Sequence, residues 1–153
     1  MKRETIIQRL SICAAFLILV VLASGCVGPR VRTYSGDKLT KSEVAVIKGR
    51  YYYALLYYDC IDIYKVDGSY PNGTQVEVLP GWHELLIIHY IINLFGFPPN
   101  CVRAAYNFEA GHEYKIKAPL MSDTGDLVEI IDVNTGVTIF NKPWSGCPYL
   151  GRE

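Results

Sequence analysis

The sequence predicts an all-β fold, either a small antiparallel β-sandwich or an open barrel, behind a single N-terminal helix. Three observations support this fold class. Short apolar runs rich in Val, Ile and Tyr recur along the chain, Gly, Pro and Asn residues separate them, and no sustained helical periodicity follows residue 25. Regularly spaced short strands with turn residues between them are typical of sandwiches and barrels.

The strands are expected where β-branched and aromatic residues stand between turn signals. Asp67-Gly68 and Asn134-Thr135-Gly136 are the clearest turns, because Asn, Asp and Gly tolerate a positive φ. A helix within residues 43–58 or 82–94 is the alternative, but the β-branched residues and tyrosines there favour strands. The predicted strands are residues 44–47, 50–58, 61–66, 76–79, 83–92, 102–108, 114–118, 128–133 and 137–140.

The first 25 residues have the pattern of a secretory signal. Residues 1–9 are polar and net positive, residues 10–25 carry no charge, and the segment ends in Ala23-Ser24-Gly25. A basic start, an apolar middle and a small-residue end are typical of a cleaved signal, and this apolar stretch is shorter than the roughly 20 residues that cross a bilayer. The N-terminal helix is therefore expected to be a signal helix.

The residues around Cys26 identify the type of signal. Leu22-Ala23-Ser24-Gly25-Cys26 resembles the lipobox of bacterial lipoproteins. The resemblance implies cleavage between Gly25 and Cys26 and a diacylglyceryl group on the Cys26 thiol, which holds the chain at a membrane. An ordinary cleaved signal or an uncleaved membrane helix is the alternative. In a Gram-negative source, Val27 after the cysteine implies the outer membrane, on its periplasmic side.

These features divide the chain into a signal peptide over residues 1–25, a short linker with the lipidated cysteine over 26–33, and a single β domain over 34–153. Lys and Arg together equal Asp and Glu at 15 each, and the signal carries a net excess of basic residues. The part from Cys26 onward is therefore slightly acidic and offers no long-range field to steer nucleic acid, so we expect no nucleic-acid partner.

The cysteine count allows one disulfide in the β domain. Cys13 lies in the signal and Cys26 is assigned to lipid, so Cys60, Cys101 and Cys147 remain in a compartment that permits disulfides. Three thiols allow three pairings. Cys101 opens a predicted strand and Cys147 lies in a Pro/Gly-rich tail, which favours a Cys101–Cys147 bond with Cys60 as a buried free thiol.

A second resemblance covers most of the β domain. Its motifs, in order, are Tyr34-Ser35-Gly36, Glu43-Val44-Ala45-Val46-Ile47, Val66-Asp67-Gly68, Val78-Leu79-Pro80-Gly81-Trp82-His83 and Ala110-Gly111-His112-Glu113-Tyr114. This order is similar to that in uncharacterised bacterial lipoproteins, and the middle part resembles the PEGA-type β modules of envelope proteins. Most of these motifs are turns, so the resemblance implies a fold and brings no catalytic residue or cofactor.

The histidines do not form a recognisable catalytic or metal motif. His83-Glu84 and His89 superficially resemble the zinc-protease pattern, but that pattern needs two histidines four residues apart on a helix. Six residues along a strand separate them by roughly 20 Å. His112 meeting another histidine across strands remains the alternative. Otherwise His83 and His112 are expected to bond turn carbonyls, and we expect neither metal nor catalytic residues.

Three functional hypotheses follow from this pattern. The first is a non-enzymatic envelope lipoprotein that acts as a structural or protein-interaction module. The second is a module that binds glycan, peptidoglycan or lipid with a face of tyrosines, for which the candidates are Tyr52, Tyr57 and Tyr64. The third is an envelope hydrolase that uses His83 or His112 with an acidic neighbour.

Overall fold

The computed structural model describes residues 30–54, 57–71, 73–92, 98–120 and 124–147, and these residues form strands without any helix. The signal helix, the predicted cleavage site and Cys26 lie outside the described residues. The strands are β1 Arg30–Arg32, β2 Ala45–Lys48, β3 Arg50–Ala54, β4 Tyr57–Val66, β5 Gln75–Val78, β6 Gly81–Ile92, β7 Asn100–Phe108, β8 Glu113–Lys117, β9 Leu127–Asp132, β10 Thr138–Pro143 and β11 Ser145–Gly146.

The strands form two sheets, which confirms the all-β prediction and favours a sandwich over a closed barrel. The first sheet has the order β1-β5-β2-β8-β9-β10, and the second has the order β11-β7-β6-β4-β3. Most neighbours are antiparallel, as predicted, but β1 pairs with β5 and β2 pairs with β8 in parallel. The β2–β8 pair is parallel because β3, β4, β6 and β7 of the second sheet intervene between these two strands in the chain.

The inner faces of the two sheets supply one apolar core. Alternate residues of each long strand point into it, as the period-two pattern requires. Phe108 and Tyr114 meet in this core edge to face, with ring centroids 4.8 Å apart, and Trp144 closes it at one end. The fully buried side chains of the core include Ile47, Ile61, Ile63, Leu85, Ile87, Ile116 and Ile130.

The chain passes from the first sheet to the second at Gly49. Lys48 ends β2 and Arg50 begins β3, so one glycine separates strands of different sheets. The Gly49 amide donates to the Thr74 carbonyl at 2.7 Å, and a Cβ atom at this position would lie 1.9 Å from the Ile61 carbonyl oxygen. Only glycine permits so close an approach of two backbones.

The ends of the strands define two ends of the sandwich. Arg30 begins β1 and pairs with Gln75, which also pairs with Lys48 at the end of β2. We call this the Arg30 end. In the second sheet, the Arg30 end carries the end of β3, the start of β4 and the start of β7. Two contacts relate the sheets here: Arg50 donates to the Ala118 carbonyl after β8, and Ser145 after β10 pairs with Cys101. The opposite end, where β6 begins, we call the Trp82 end.

Two boundaries differ from the prediction. Residues 30–32, assigned to the linker, form β1, so a strand of the first sheet lies within the predicted linker. The predicted strand over residues 50–58 is instead two strands, β3 and β4, which pair antiparallel. A helix within residues 43–58 or 82–94 is wrong for the described part of each range, which contains strands.

The passage at Gly49 leads to a prediction about stability. Gly49→Ala should lower the free energy of unfolding by about 3 kcal/mol, because the added methyl group overlaps the Ile61 carbonyl and the strands must separate. Urea unfolding followed by circular dichroism measures the change. Gly146→Ala is the matched control, since a Cβ atom there meets open space. Equal unfolding midpoints for the two variants would contradict the proposed close approach.

Candidate functional site

A buried ionic cluster lies between the two sheets at the Arg30 end. Arg50 donates from Nε and Nη2 to Asp59 Oδ1 at 3.0 and 2.8 Å, and His89 Nε2 lies 3.2 Å from Asp59 Oδ2. The Asp59 carboxylate is fully buried. Arg50 also donates to the carbonyls of Ala118 and Pro119, so one guanidinium joins β3, β4 and the segment after β8.

Two ring nitrogens beside this cluster have no hydrogen-bond partner. Asp59 therefore has two partners, because one carboxylate oxygen binds Arg50 and the other lies against His89 Nε2. His89 Nδ1 and Trp144 Nε1 are both buried and unpaired, and the two rings stack at 5.5 Å with 25° between their planes. Each unpaired nitrogen costs about 1–3 kcal/mol. Both His89 and Asp59 are closed to solvent, so the cluster lies inside the fold.

No sequence motif marks this cluster. His89 was considered only as a possible metal ligand, and Asp59 was not singled out. The available signal was that Asp59 is the only carboxylate between Arg50 and Ile61, a stretch otherwise occupied by apolar and aromatic residues. A charge in such a stretch is buried only with a partner, and Arg50 is the nearest cation.

His83 forms a separate pair at the Trp82 end. Its Nδ1 bonds Asp67 Oδ2 and its Nε2 bonds the Leu79 carbonyl at 2.8 Å, as expected for a turn carbonyl. A carboxylate and a backbone carbonyl thus hold the two ring nitrogens of His83 within the turn. Burial acts to raise the pKa of Asp67, but the hydrogen bonds from His83 and the Glu84 amide outweigh it and hold that pKa below its usual value.

His112 binds a different aspartate, also at a turn. Its Nδ1 lies 2.8 Å from Asp132 Oδ2, and Asp132 Oδ1 accepts the Asn134 amide. Burial acts to raise the pKa of Asp132, but these bonds lower it further than burial raises it. The expected carbonyl partner of His112 is therefore replaced by a carboxylate. Among the described residues no three His, Cys, Asp or Glu side chains converge on a metal site.

The candidate tyrosines do not form one face. Tyr52 lies on the edge strand β3 opposite Asp59, and Tyr57 opens β4 opposite Ala54. Tyr64 lies near the other end of β4, where its ring contacts Tyr70 with centroids 5.3 Å apart. The structure therefore brings Tyr52 and Tyr57 to neighbouring strands and separates Tyr64 from them by most of the length of β4.

The three cysteines of the β domain are free thiols, so the expected Cys101–Cys147 disulfide is not formed. The two residues are nevertheless neighbours, because β11 pairs with β7 and the Cys147 thiol hydrogen-bonds Cys101. Burial raises the pKa of Cys147 far above its usual value, which disfavours the thiolate that disulfide formation requires. Cys60 is a buried free thiol as predicted, and burial raises its pKa to about 12.

An open cavity of about 310 Å³ lies beside His83 at the Trp82 end. Four of its lining residues carry a hydroxyl group, namely Thr33, Tyr34, Ser35 and Ser69, and no sequence motif groups them. Its remaining lining residues are Val66, Asp67, Leu79 and His83. The volume is within the range of small-ligand sites, and hydroxyls beside an aromatic ring and an ion pair suit a polar, uncharged ligand.

The comparisons with known proteins add no family. No family model, no curated protein and no solved structure matches this chain. Within the part of the chain that the structure describes, no helix has the length and apolar character needed to span a membrane.

The buried cluster leads to a second prediction about stability. Arg50→Met should cost about 3–5 kcal/mol of unfolding free energy at neutral pH, because it leaves the Asp59 carboxylate buried without its main partner. Arg103→Met is the control: its partner Glu84 is exposed, so the expected loss is below about 1 kcal/mol. Chemical unfolding measures both. If Arg50→Met is as stable as Arg103→Met, Arg50 does not compensate the Asp59 charge.

Proposed function

We propose that this chain is a bacterial envelope lipoprotein, held at a membrane by lipid on Cys26, whose β-sandwich acts as a structural or protein-interaction module. The observation that carries the proposal is the position of β1. The first described strand, β1, begins at Arg30, four residues after the cysteine of the lipobox-like sequence. A folded domain that starts this close to the proposed lipid site is suited to work at the membrane surface.

The short stretch from Cys26 to Arg30, which we call the tether, supports a role close to the bilayer. Four extended residues span at most about 13 Å, so the domain cannot reach far from its anchor. A partner must come to the membrane to meet it, as an envelope protein or peptidoglycan does. In a Gram-negative source the sorting residue Val27 favours the periplasmic side of the outer membrane.

Two features support a module without catalytic activity. The histidines His83 and His112 each pair with an aspartate inside a turn, and His89 is closed to solvent. Acid–base catalysis needs a side chain within hydrogen-bond reach of a substrate and able to exchange its proton. These pairs are better suited to fixing turn geometry.

The anchor is tested by lipid labelling. Cys26→Ala should abolish incorporation of labelled palmitate and leave the signal attached, because the thiol that accepts the diacylglyceryl group is gone. Cys13→Ala, which removes the cysteine of the predicted signal, should keep both labelling and cleavage. Palmitate incorporation into the Cys26→Ala chain would contradict the proposal.

Binding of a glycan or of peptidoglycan is the second candidate function. The observation that favours it is the cavity at the Trp82 end, whose hydroxyls suit a polyhydroxylated ligand. The tyrosines proposed from the sequence are a less compact site, because Tyr64 lies apart from Tyr52. This function uses the same anchor and adds a ligand.

The cavity is tested by filling it. Ser35→Leu should reduce co-sedimentation of the protein with purified peptidoglycan by about tenfold or more, a change of about 1.4 kcal/mol, because it replaces a hydroxyl with a larger apolar group. Ser35 is exposed, so the fold should tolerate the change. Ser42→Leu, at an exposed serine outside the cavity lining, should have no effect. Equal retention of both variants would exclude the cavity as the binding site.

A further inference from the structure

The hairpin formed by β3 and β4 has an uncharged, tyrosine-rich outer part. From Tyr51 to Tyr58 the sequence contains five tyrosines, alanine and two leucines, and no charged residue. Tyr51, Tyr52 and Tyr53 are 48%, 46% and 68% exposed although they follow one another in a strand. Consecutive strand residues point to opposite faces, so β3 presents aromatic rings on both sides. We call residues 51–54 with 57–58 the tyrosine hairpin.

The tyrosine hairpin lies at the Arg30 end, where the chain enters the domain. β1 starts at Arg30 beside Gln75, and β2 ends beside the same residue before the chain continues through Gly49 into β3. β1 therefore begins at the end of the sandwich toward which the outer part of β3 extends. The start of β1 and the tyrosines share this end by topology, not by a side-chain contact.

The part of β4 that extends beyond the first sheet is longer than the distance that the chain can span between Arg30 and Cys26. Gly73, two residues before the partner of Arg30, bridges to Ile63 of β4. From Ile63 to Tyr57 six residues of β4 extend about 20 Å. The tether from Arg30 back to Cys26 spans at most about 13 Å. In an upright domain the hairpin therefore reaches at least as far as the lipidated cysteine.

The chemistry of the hairpin suits the interfacial layer of a bilayer. Tyrosine has an apolar ring and a polar hydroxyl, and it is enriched at the level of lipid headgroups. β3 is the edge strand of its sheet, so its outward backbone groups need water or headgroups and do not enter hydrocarbon. Leu120, 56% exposed beside the Pro119 carbonyl that Arg50 binds, adds apolar surface at the same end.

No charged residue within the hairpin itself opposes this placement. Arg50 lies at the base of the hairpin, and its guanidinium binds the buried Asp59 carboxylate and two carbonyls. By contrast, the exposed aromatic residue Trp82, 70% exposed, lies at the opposite end next to the Asp67–His83 pair. The uncharged aromatic surface is thus at the Arg30 end, where β1 begins.

We propose that the tyrosine hairpin docks into the headgroup layer of the membrane to which Cys26 anchors the chain, so that the sandwich stands with its Arg30 end on the bilayer. The cavity at the Trp82 end then faces away from the membrane. The docking rests on the proposed lipid anchor, and it adds a second contact that fixes the orientation of the domain.

Tryptophan fluorescence of the lipidated full chain in phosphatidylcholine vesicles tests the docking. In a Trp82→Phe background, Tyr53→Trp places a reporter on the hairpin, and the native chain carries Trp82 as the matched reporter at the opposite end. Both proteins also contain the buried Trp144. Its fluorescence is measured in the Trp82→Phe protein and subtracted from each signal. We expect vesicles to reduce acrylamide quenching of the hairpin reporter by roughly half or more and headgroup-labelled nitroxide lipids to quench it, with Trp82 unaffected.

The outcomes separate the docking from the anchor. A chain that carries palmitate and floats with vesicles, but whose hairpin reporter stays as open to acrylamide as Trp82, overturns the docking and leaves the anchor intact. A chain without palmitate that does not float overturns both. Shielding of the reporter in native membranes but not in pure phosphatidylcholine vesicles assigns the hairpin to a protein partner and also overturns the docking.

Discussion

The passage of the backbone past the Ile61 carbonyl at Gly49 determines how the two sheets are joined. Because the strand continues through this point without reversing, β2 ends in the first sheet and β3 begins in the second. The same passage places Arg50 beside Asp59. It also lets β3, with its tyrosines, extend beyond the main body of the sandwich. A side chain at position 49 would separate the strands on which the cluster and the hairpin both depend.

The ionic cluster fixes the base of the hairpin. Burial of a carboxylate is costly, and attraction to one cation repays it only when other hydrogen bonds complete the site. Here Asp59 has Arg50 and His89, and Arg50 also binds the carbonyls of residues 118 and 119. We interpret the cluster as a device that sets the position of β3 rather than as a net source of stability, since the His89 and Trp144 nitrogens remain unpaired.

The sequence predicted the fold class because the apolar periodicity and the turns at Asp67-Gly68 and Asn134-Thr135-Gly136 act locally. Asp67 and Gly68 both adopt the positive φ that such a turn requires. The break between β3 and β4 was missed because residues 54–57 contain no glycine, proline, asparagine or aspartate. β1 was missed because three residues carry too little periodicity, and its pairing with β5 is a long-range contact.

The candidate sites were less predictable because, like the pairing of β1 with β5, they depend on long-range contacts. Each depends on residues distant in sequence, such as Arg50 with Pro119 or Ser35 with His83. Proximity of Cys101 and Cys147 was anticipated, because a strand start and a C-terminal tail were expected to meet, but the absence of a bond between them was not. The local pattern at Cys26 remains the strongest functional signal in the sequence. Because β1 begins four residues later, the proposed lipid site is close in the chain to the described β domain.

The central claim is that the domain stands on its membrane with the tyrosine hairpin downward. Photo-crosslinking of the vesicle-bound, lipidated chain to phospholipids with a photoactivatable headgroup, followed by mass spectrometric mapping of the adducts, tests it most directly. The account predicts adducts on the peptide that contains Tyr51, Tyr52 and Tyr53 and none around Trp82. Adducts concentrated around Trp82, or spread evenly over both ends, would contradict it.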